Sequence, residues 1–383
     1  MARALYIHWP FCLAKCPYCD FNSHVRDRVD NTLWERFLLA DMRHEAELAG
    51  GEALHSIFFG GGTPSLMPPA LVARLLDEAE RLWGFVDGIE ITLEGNPSSV
   101  ESANYAALAQ AGVNRVSLGL QAMDDATLHF LGRLHDAREG LDALDVAQQH
   151  FSRVSFDLIY ARPGQSADAW QAELARALGF GTGHLSLYQL TIEPGTRFAT
   201  MVRKGEFAPL DEDAAADLFT LTREMTAAAG LPAYEISNHA RPGEESRHNL
   251  TYWRYQDYCG IGPGAHGRRG GVATTRHKKP ENWLEALDAG GNGIAEHRPL
   301  GVREQAAEAM MMGLRLAEGV DLAAMARRFA LREDALCTPA KFSFYQQQGL
   351  LWQQGERIGV TEAGMSLLDG LLAELVPADL VTA

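Results

Sequence analysis

The sequence predicts an α/β fold: a partial (β/α)6 barrel followed by a mostly helical C-terminal domain with a winged-helix-like layout. Three observations carry this expectation. Six short β-rich runs alternate with longer helical stretches in the first half of the chain, the pattern of parallel strands with helices packed outside them. Six units fall short of the eight that close a full barrel. After about residue 195 the alternation stops, and beyond about residue 300 the pattern is helical apart from one short β-rich run.

The expected strands cover residues 4–9, 56–59, 89–94, 115–120, 154–159 and 185–190. Helices are expected between them at 32–48, 69–83, 99–111, 124–149 with a break near Asp136, and 168–178. Asn31 stands where an N-cap belongs, with Glu35 in the first turn that follows. A helix at 211–229 leads into a Gly-, His- and aromatic-rich stretch, 234–271, with no clean period. Helices at 302–316, 321–329 and 339–348, a short run at 357–360 and a last helix at 361–375 complete the chain. The expected division is a barrel at 1–195, a barrel-completing or linker region at 196–299, and a helical domain at 300–383.

The chain has 383 residues, 46% hydrophobic and 22% charged, which fits a folded water-soluble protein and excludes a disordered, collagenous or coiled-coil chain. Lys and Arg total 34 against 50 Asp and Glu, for a net charge of −16. That balance argues against nucleic acid as the partner. The five cysteines are too few and too unevenly placed for a disulfide scaffold. No run of 18 apolar residues and no secretory leader pattern is evident. The expected setting is cytoplasmic and reducing, with no integral membrane segment.

Three cysteines are crowded just after the first strand. Cys12, Cys16 and Cys19 spell C-x3-C-x2-C in the loop that follows it. Thiolates at those spacings can converge on one small centre, and thiolate ligation is what iron–sulfur clusters require. Structural zinc closes four positions; His24 could supply the fourth. A redox pair of Cys16 and Cys19 would leave Cys12 without a role. Three ligands on a four-iron cluster leave one iron open to a substrate or cofactor. Cys259 and Cys337, far from the cluster loop, read as buried thiols.

On these residues, and on Tyr6-Ile7-His8-Trp9-Pro10-Phe11-Cys12 and Cys16-Pro17-Tyr18-Cys19-Asp20-Phe21-Asn22-Ser23-His24, the chain resembles the radical S-adenosylmethionine (SAM) superfamily, and within it the HemN/HemW group. The resemblance implies a radical-SAM barrel, one [4Fe-4S] cluster held by Cys12, Cys16 and Cys19, and SAM chelated at the open iron. The reduced cluster of that superfamily cleaves SAM to a 5′-deoxyadenosyl radical. It also implies SAM contacts for Gly61, Gly62 and Thr63, in the Gly-Gly-Gly-Thr-Pro turn after the second strand. Glycines there let the backbone approach a ligand. Glu94, Gln121, Arg133 and Asp157, at or just beyond later strand ends, match further SAM-contacting positions, as do Tyr6 and Tyr18. Arg162 departs from the group's pattern; it either pairs with a nearby anion or is a solvated loop residue, and the second reading is favoured.

Two branches of the group are separated by residues. Oxygen-independent coproporphyrinogen III oxidases are expected to carry a cysteine two residues after the third ligand and a longer N-terminal extension; here that position is Phe21, and the first strand starts at residue 4. Instead, His248-Asn249-Leu250-Thr251-Tyr252-Trp253 resembles the H-N-x-x-Y-W signature that the HemW branch associates with heme. From residue chemistry the same segment also reads as a helix docking aromatics into an interface, with His248 a hydrogen-bonded core residue. The resemblance makes His248, Asn249, Tyr252 and Trp253 the heme-binding candidates, and Gly260 to Gly267 a glycine-rich pocket wall. It implies a heme chaperone that passes heme to an acceptor protein, with peripheral contact to membrane-bound acceptors. The alternatives are the oxidase activity and a radical-SAM, heme-modifying methyl transfer.

Overall fold

The computed structural model describes residues 3–26, 28–50 and 52–381. The six expected parallel strands are present: β1 (Ala4–Trp9), β2 (Leu54–Gly61), β3 (Phe85–Gly95), β4 (Arg115–Gln121), β5 (Arg153–Tyr160) and β6 (His184–Gln189). They follow one another in the sheet in chain order. β7 (Asn238–Ala240) runs antiparallel along β6. β8 (Tyr258–Ile261) lies parallel to β1 on its other side, with Leu5 opposite Cys259. β9 (His266–Arg269), β10 (Val272–Arg276) and β11 (Ile294–Pro299) continue outward as antiparallel neighbours. The eleven-stranded sheet therefore has the order β11-β10-β9-β8-β1-β2-β3-β4-β5-β6-β7.

The sequence explains the parallel part. β1 and β4 are buried at almost every position, as strands covered on both faces must be. Leu5, Ile7 and Trp9 join the core beneath the helices, while Tyr6 stacks on Phe58 of β2. The helix Asn31–Ala49 begins at Asp30, not at Asn31: the Asp30 carboxylate accepts from the backbone N–H of Thr32 and of Leu33. Asn31 is the first helical residue, so its expected capping role passes to its neighbour. The helical stretch around Asp136 does break: Asp125–Phe130 ends, and Asp136 caps Ala137–His150 by accepting from Glu139 N. The 99–111 stretch also splits, into Ser99–Ser102 and Tyr105–Gln110.

Two features of the 234–299 region lay beyond the sequence reading. Its strands carry the sheet past β1, and a buried ion cluster fastens them to the first helix. Arg269 pairs with Glu45 at 2.7 Å, and Arg276 reaches Glu45 at 2.5 Å and Asp41 at 3.4 Å. Arg276, Asp41 and Glu45 side chains are wholly out of solvent. Arg162 takes the anion-paired reading rather than the favoured solvated one. It is buried and paired with Glu173, whose carboxylate also accepts from Met123 N.

Beyond residue 300, the helix Val302–Gly313 leads to a small antiparallel sheet in which Arg357–Val360 lies between Val320–Asp321 and Leu351–Gln354. Helices Leu322–Phe329 and Pro339–Gln347 precede the hairpin, giving the winged-helix-like layout. This part has its own core, built from Met310, Leu336, Ile358 and Leu375 among others. The closing stretch is two helices, Glu362–Met365 and Leu368–Leu375, rather than one.

Candidate functional site

Residues from the C-terminal ends of β1 to β5 line one cleft, where ligands of parallel α/β sheets gather. Its walls include Cys12, Cys16, Tyr18, Cys19, Gly61, Gly62, Thr63, Glu94, Gln121, Arg133 and Asp157. All three cysteines are free and partly exposed. The loop that carries them is pinned at its base, because Phe11–Cys12 pairs in parallel with His24–Val25. Asn22 then ties the loop to the far side of the sheet, donating to the carbonyls of Pro263 and Lys278 at 2.9 Å each.

Each cysteine sulfur has a polar neighbour. Thr63 Oγ1 donates to Cys12 Sγ at 3.3 Å, and Arg133 Nη1 donates to Cys16 Sγ at 3.4 Å. The Ser23 hydroxyl lies 3.9 Å from Cys19 Sγ. Burial pushes the Cys12 and Cys19 thiols above their ordinary range, so a thiolate there needs a compensating positive centre. Among the described residues, no three His, Cys, Asp or Glu side chains converge on a single metal ion. His24 Nε2 is instead engaged with Asn22 Oδ1 at 3.3 Å. A cubane, which takes its ligands at separate corners, suits thiols that line one cleft.

The glycine turn is built for close approach. A Cβ on Gly62 would stand 2.6 Å from the Phe11 carbonyl oxygen, and one on Gly61, at φ +111°, would strike the His8 ring. Glycine is required at both. Gly61 N donates to Glu94 Oε2 at 3.3 Å. Burial, with a further push from Asp157, raises the Glu94 carboxyl to about 8. Asp157 is raised to about 6, again mainly by burial, although Ser117 donates to it at 3.1 Å.

Gln121 closes β4 at φ +70°, where the pairing with β5 shifts register. A non-glycine residue there is strained, and such strain gathers at ligand sites. Gln121 Oε1 and Arg133 Nε are buried without a hydrogen-bond partner in the protein, which marks them as groups awaiting a polar ligand. Asn96 and Ser117 also line the cleft, and sequence reasoning missed both. Asn96 donates to Thr63 Oγ1 at 3.1 Å and accepts from Arg133. Its position just past Glu94, in the turn that ends β3, was the available signal. Tyr6 stands apart from this lining; its hydroxyl meets His8 Nδ1 at 3.0 Å.

The heme candidates sit elsewhere. Arg247–Trp253 is a helix capped by Ser246. His248 is buried on it, 1% exposed, with both ring nitrogens occupied: Nδ1 meets Ser56 Oγ at 3.1 Å and Nε2 meets the Tyr252 hydroxyl at 2.5 Å. Burial lowers this imidazole to about 3. The structure thus gives His248 the core role, with Tyr252 one turn along the same face as the spacing requires. Asn249, Tyr252 and Trp253 are partly exposed. The glycine-rich 260–267 turn does not line the cysteine cleft; a Cβ on Gly264 would collide with Asn22, so the turn clamps the cysteine loop. Cys259 and Cys337 are buried in separate cores, as expected.

The parallel sheet thus presents three thiols, a glycine turn and unsatisfied polar groups at one end. In comparison with known proteins, residues 6–177 match the radical SAM superfamily, and residues 301–367 match the HemN C-terminal domain. The chain is 38% identical to mouse (Mus musculus) radical S-adenosyl methionine domain-containing protein 1, mitochondrial, over 98% of this chain and 87% of the relative. It is 35% identical to the Escherichia coli heme chaperone HemW, over 96% of this chain and 97% of the relative. The same identity holds to the Mycobacterium tuberculosis heme chaperone HemW, over 97% and 94%. The solved coproporphyrinogen III oxidase HemN of Escherichia coli shares the fold, with a TM-score of 0.81 over 97% of this chain and 89% of that one at 20% identity. The chain belongs to the HemW family of radical SAM proteins. Members of this superfamily work with a [4Fe-4S] cluster and SAM.

Proposed function

We propose that this protein is a heme chaperone: it binds heme, one [4Fe-4S] cluster and SAM, and delivers heme to an acceptor protein. The observation that supports it best is the near-full-length similarity to HemW proteins, together with Phe21 in the position where the oxidase branch carries a further cysteine. Phe21 is exposed beside the cysteine cleft and offers no ligand.

Cys12, Cys16 and Cys19 hold the cluster, with Thr63, Arg133 and Ser23 as hydrogen-bonding neighbours of their sulfurs. The Gly61–Gly62 backbone, Glu94, Gln121, Arg133 and Asp157 hold SAM, with Tyr18 in the same wall. When bound, the cluster and SAM supply one-electron reductive chemistry. The chain's own residues orient SAM in the cleft at the strand ends. Tyr6 supports the wall from below through His8.

The setting is reducing and cytoplasmic. Among the described residues no helix is long and apolar enough to cross a membrane, so contact with a membrane-bound acceptor is peripheral. The test is transfer. Heme-loaded protein, mixed with the heme-free form of a heme-requiring protein, should pass its heme on and restore the acceptor's absorbance. Heme that stays bound, or leaves no faster than from albumin, refutes the chaperone role.

A further inference from the structure

The burial of His248 raises the question of where heme would sit. A second cleft, about 480 Å³ in volume, opens between β8 to β10 and the helix Val302–Gly313. That size suits a drug- or cofactor-sized ligand. The H-N-x-x-Y-W segment leads into it. His248 holds the Tyr252 hydroxyl, and the Tyr252 ring packs edge-on against Tyr258 at 4.4 Å between centroids. Tyr258 and the next residue of the segment, Trp253, both line the cleft.

The rest of the lining has the chemistry of an iron porphyrin site. His266 lies on it, exposed, and no hydrogen bond among the described residues engages its ring. Partial burial and nearby Lys278 hold that imidazole below its ordinary range, so it is neutral at pH 7, the form that ligates iron. The thioethers of Met311 and Met312 line the same space and suit soft contact with a macrocycle. Arg268 and Arg315 bring two guanidinium groups to the lining; Arg268 Nη2 donates to the Gln256 carbonyl and its plane lies on the Tyr255 ring, while Arg315 pairs with the exposed Asp369 at 3.1 Å, a pair that a propionate would have to displace. Arg268 is buried, and its Nε has no partner. The one carboxylate in the lining, Glu308, is engaged by the Tyr255 hydroxyl. A larger groove of about 1040 Å³ near the C-terminus offers Glu212, Asp369 and Glu374 but no imidazole, a poorer match to a dianion.

We propose that heme is carried in the cleft between β8–β10 and the 302–313 helix, where the His266 imidazole would bind its iron and Trp253 and Tyr258 would contact the macrocycle. This rests on the heme-carrying reading above and assigns His248 a positioning role through Tyr252. The experiment is an anaerobic titration of iron protoporphyrin IX into the full chain, read by its Soret band and by electron paramagnetic resonance. Wild type should bind near one equivalent, with the Soret band and electron paramagnetic resonance signal of histidine-ligated iron. His266→Ala and His266→Gln should each weaken binding about tenfold or more and lose that signal, and added imidazole should restore it. Circular dichroism checks that the exposed substitution leaves the fold intact. Wild type that binds no heme overturns the heme-carrying reading and this site with it. Wild type that binds while both His266 variants match it in affinity and spectrum overturns the site alone.

Discussion

Arg133 donates a hydrogen bond to the Cys16 sulfur at 3.4 Å, and its other terminal nitrogen reaches the Gly119 carbonyl at 2.9 Å and Asn96. One guanidinium thus links Cys16, a proposed cluster ligand, to the ends of β3 and β4. A donor to a ligand sulfur stabilises the more negative, reduced cluster. Replacing Arg133 by Met removes it. Expected is a lower midpoint potential, by roughly 40 mV for about 1 kcal/mol of differential hydrogen-bond energy, with the cluster still assembled. Potentiometric titration of the reconstituted protein reads this directly, and an unchanged potential contradicts the assignment.

Gly62 has a sharper prediction. Its missing Cβ would lie 2.6 Å from the backbone oxygen of Phe11, next to the first cluster cysteine, and backbone atoms cannot swing aside as a side-chain tip can. Gly62→Ala should therefore displace the strand that carries Cys12. The expected result is loss of most iron–sulfur absorbance after reconstitution, whereas Gly301→Ala, where a Cβ meets nothing within 4 Å, should reconstitute normally.

The Glu94 carboxyl is raised to about 8 by burial and by Asp157. Between its ordinary value and 8, the folded protein holds a proton that the unfolded chain has released, so stability falls as pH rises through that window. Below pH 6.5 the buried histidines act in the opposite sense: His248 and His8, lowered to about 3 and 4, are neutral when folded but protonated when unfolded. The clean comparison is thus from about pH 7 to about pH 8.5. Wild-type protein free of cluster and SAM should lose about 1 kcal/mol there through Glu94, on the order of one or two degrees of Tm in a chain of this length, and Glu94→Gln should lose less. Parallel curves for the two proteins would show that Glu94 is ionised at neutral pH.

The Arg276 guanidinium sits between Asp41 and Glu45 with no exposure to solvent. Removing one partner of a buried ion group leaves uncompensated charge, at a cost of about 3–5 kcal/mol. Arg276→Met should lower stability by that order in urea unfolding, with a lower midpoint. A change within experimental error would mean that the cluster does not fasten β9 and β10 to the first helix.

The barrel was legible because six buried runs alternate with amphipathic stretches, and because Glu94 and Gln121 stand at strand ends. β8 to β11 were not. Their strands are short, Gly260, Gly267, Gly270 and Gly271 interrupt any period, and β9 to β11 pair antiparallel at an edge, so the βα rhythm gave no cue. Asp30 displaced Asn31 as the cap because both residue types suit that position and one residue of register separates them. Arg162 became buried because Glu173, eleven residues on, lies in the second turn of the helix Ala167–Leu178 that follows the strand, a contact no local pattern encodes. His248 shows the limit most plainly. Its spacing to Tyr252 was readable, but whether the pair faced a ligand or Ser56 depended on the packing of a helix against β2.

The account turns on heme carriage in place of porphyrinogen decarboxylation. The most direct measurement gives the anaerobically reconstituted protein SAM, a low-potential reductant and coproporphyrinogen III, and follows vinyl-bearing product by chromatography and mass spectrometry, with heme binding measured on the same preparation. The account predicts a stoichiometric heme complex and no vinyl product. Catalytic conversion of the propionates to vinyl groups would contradict it.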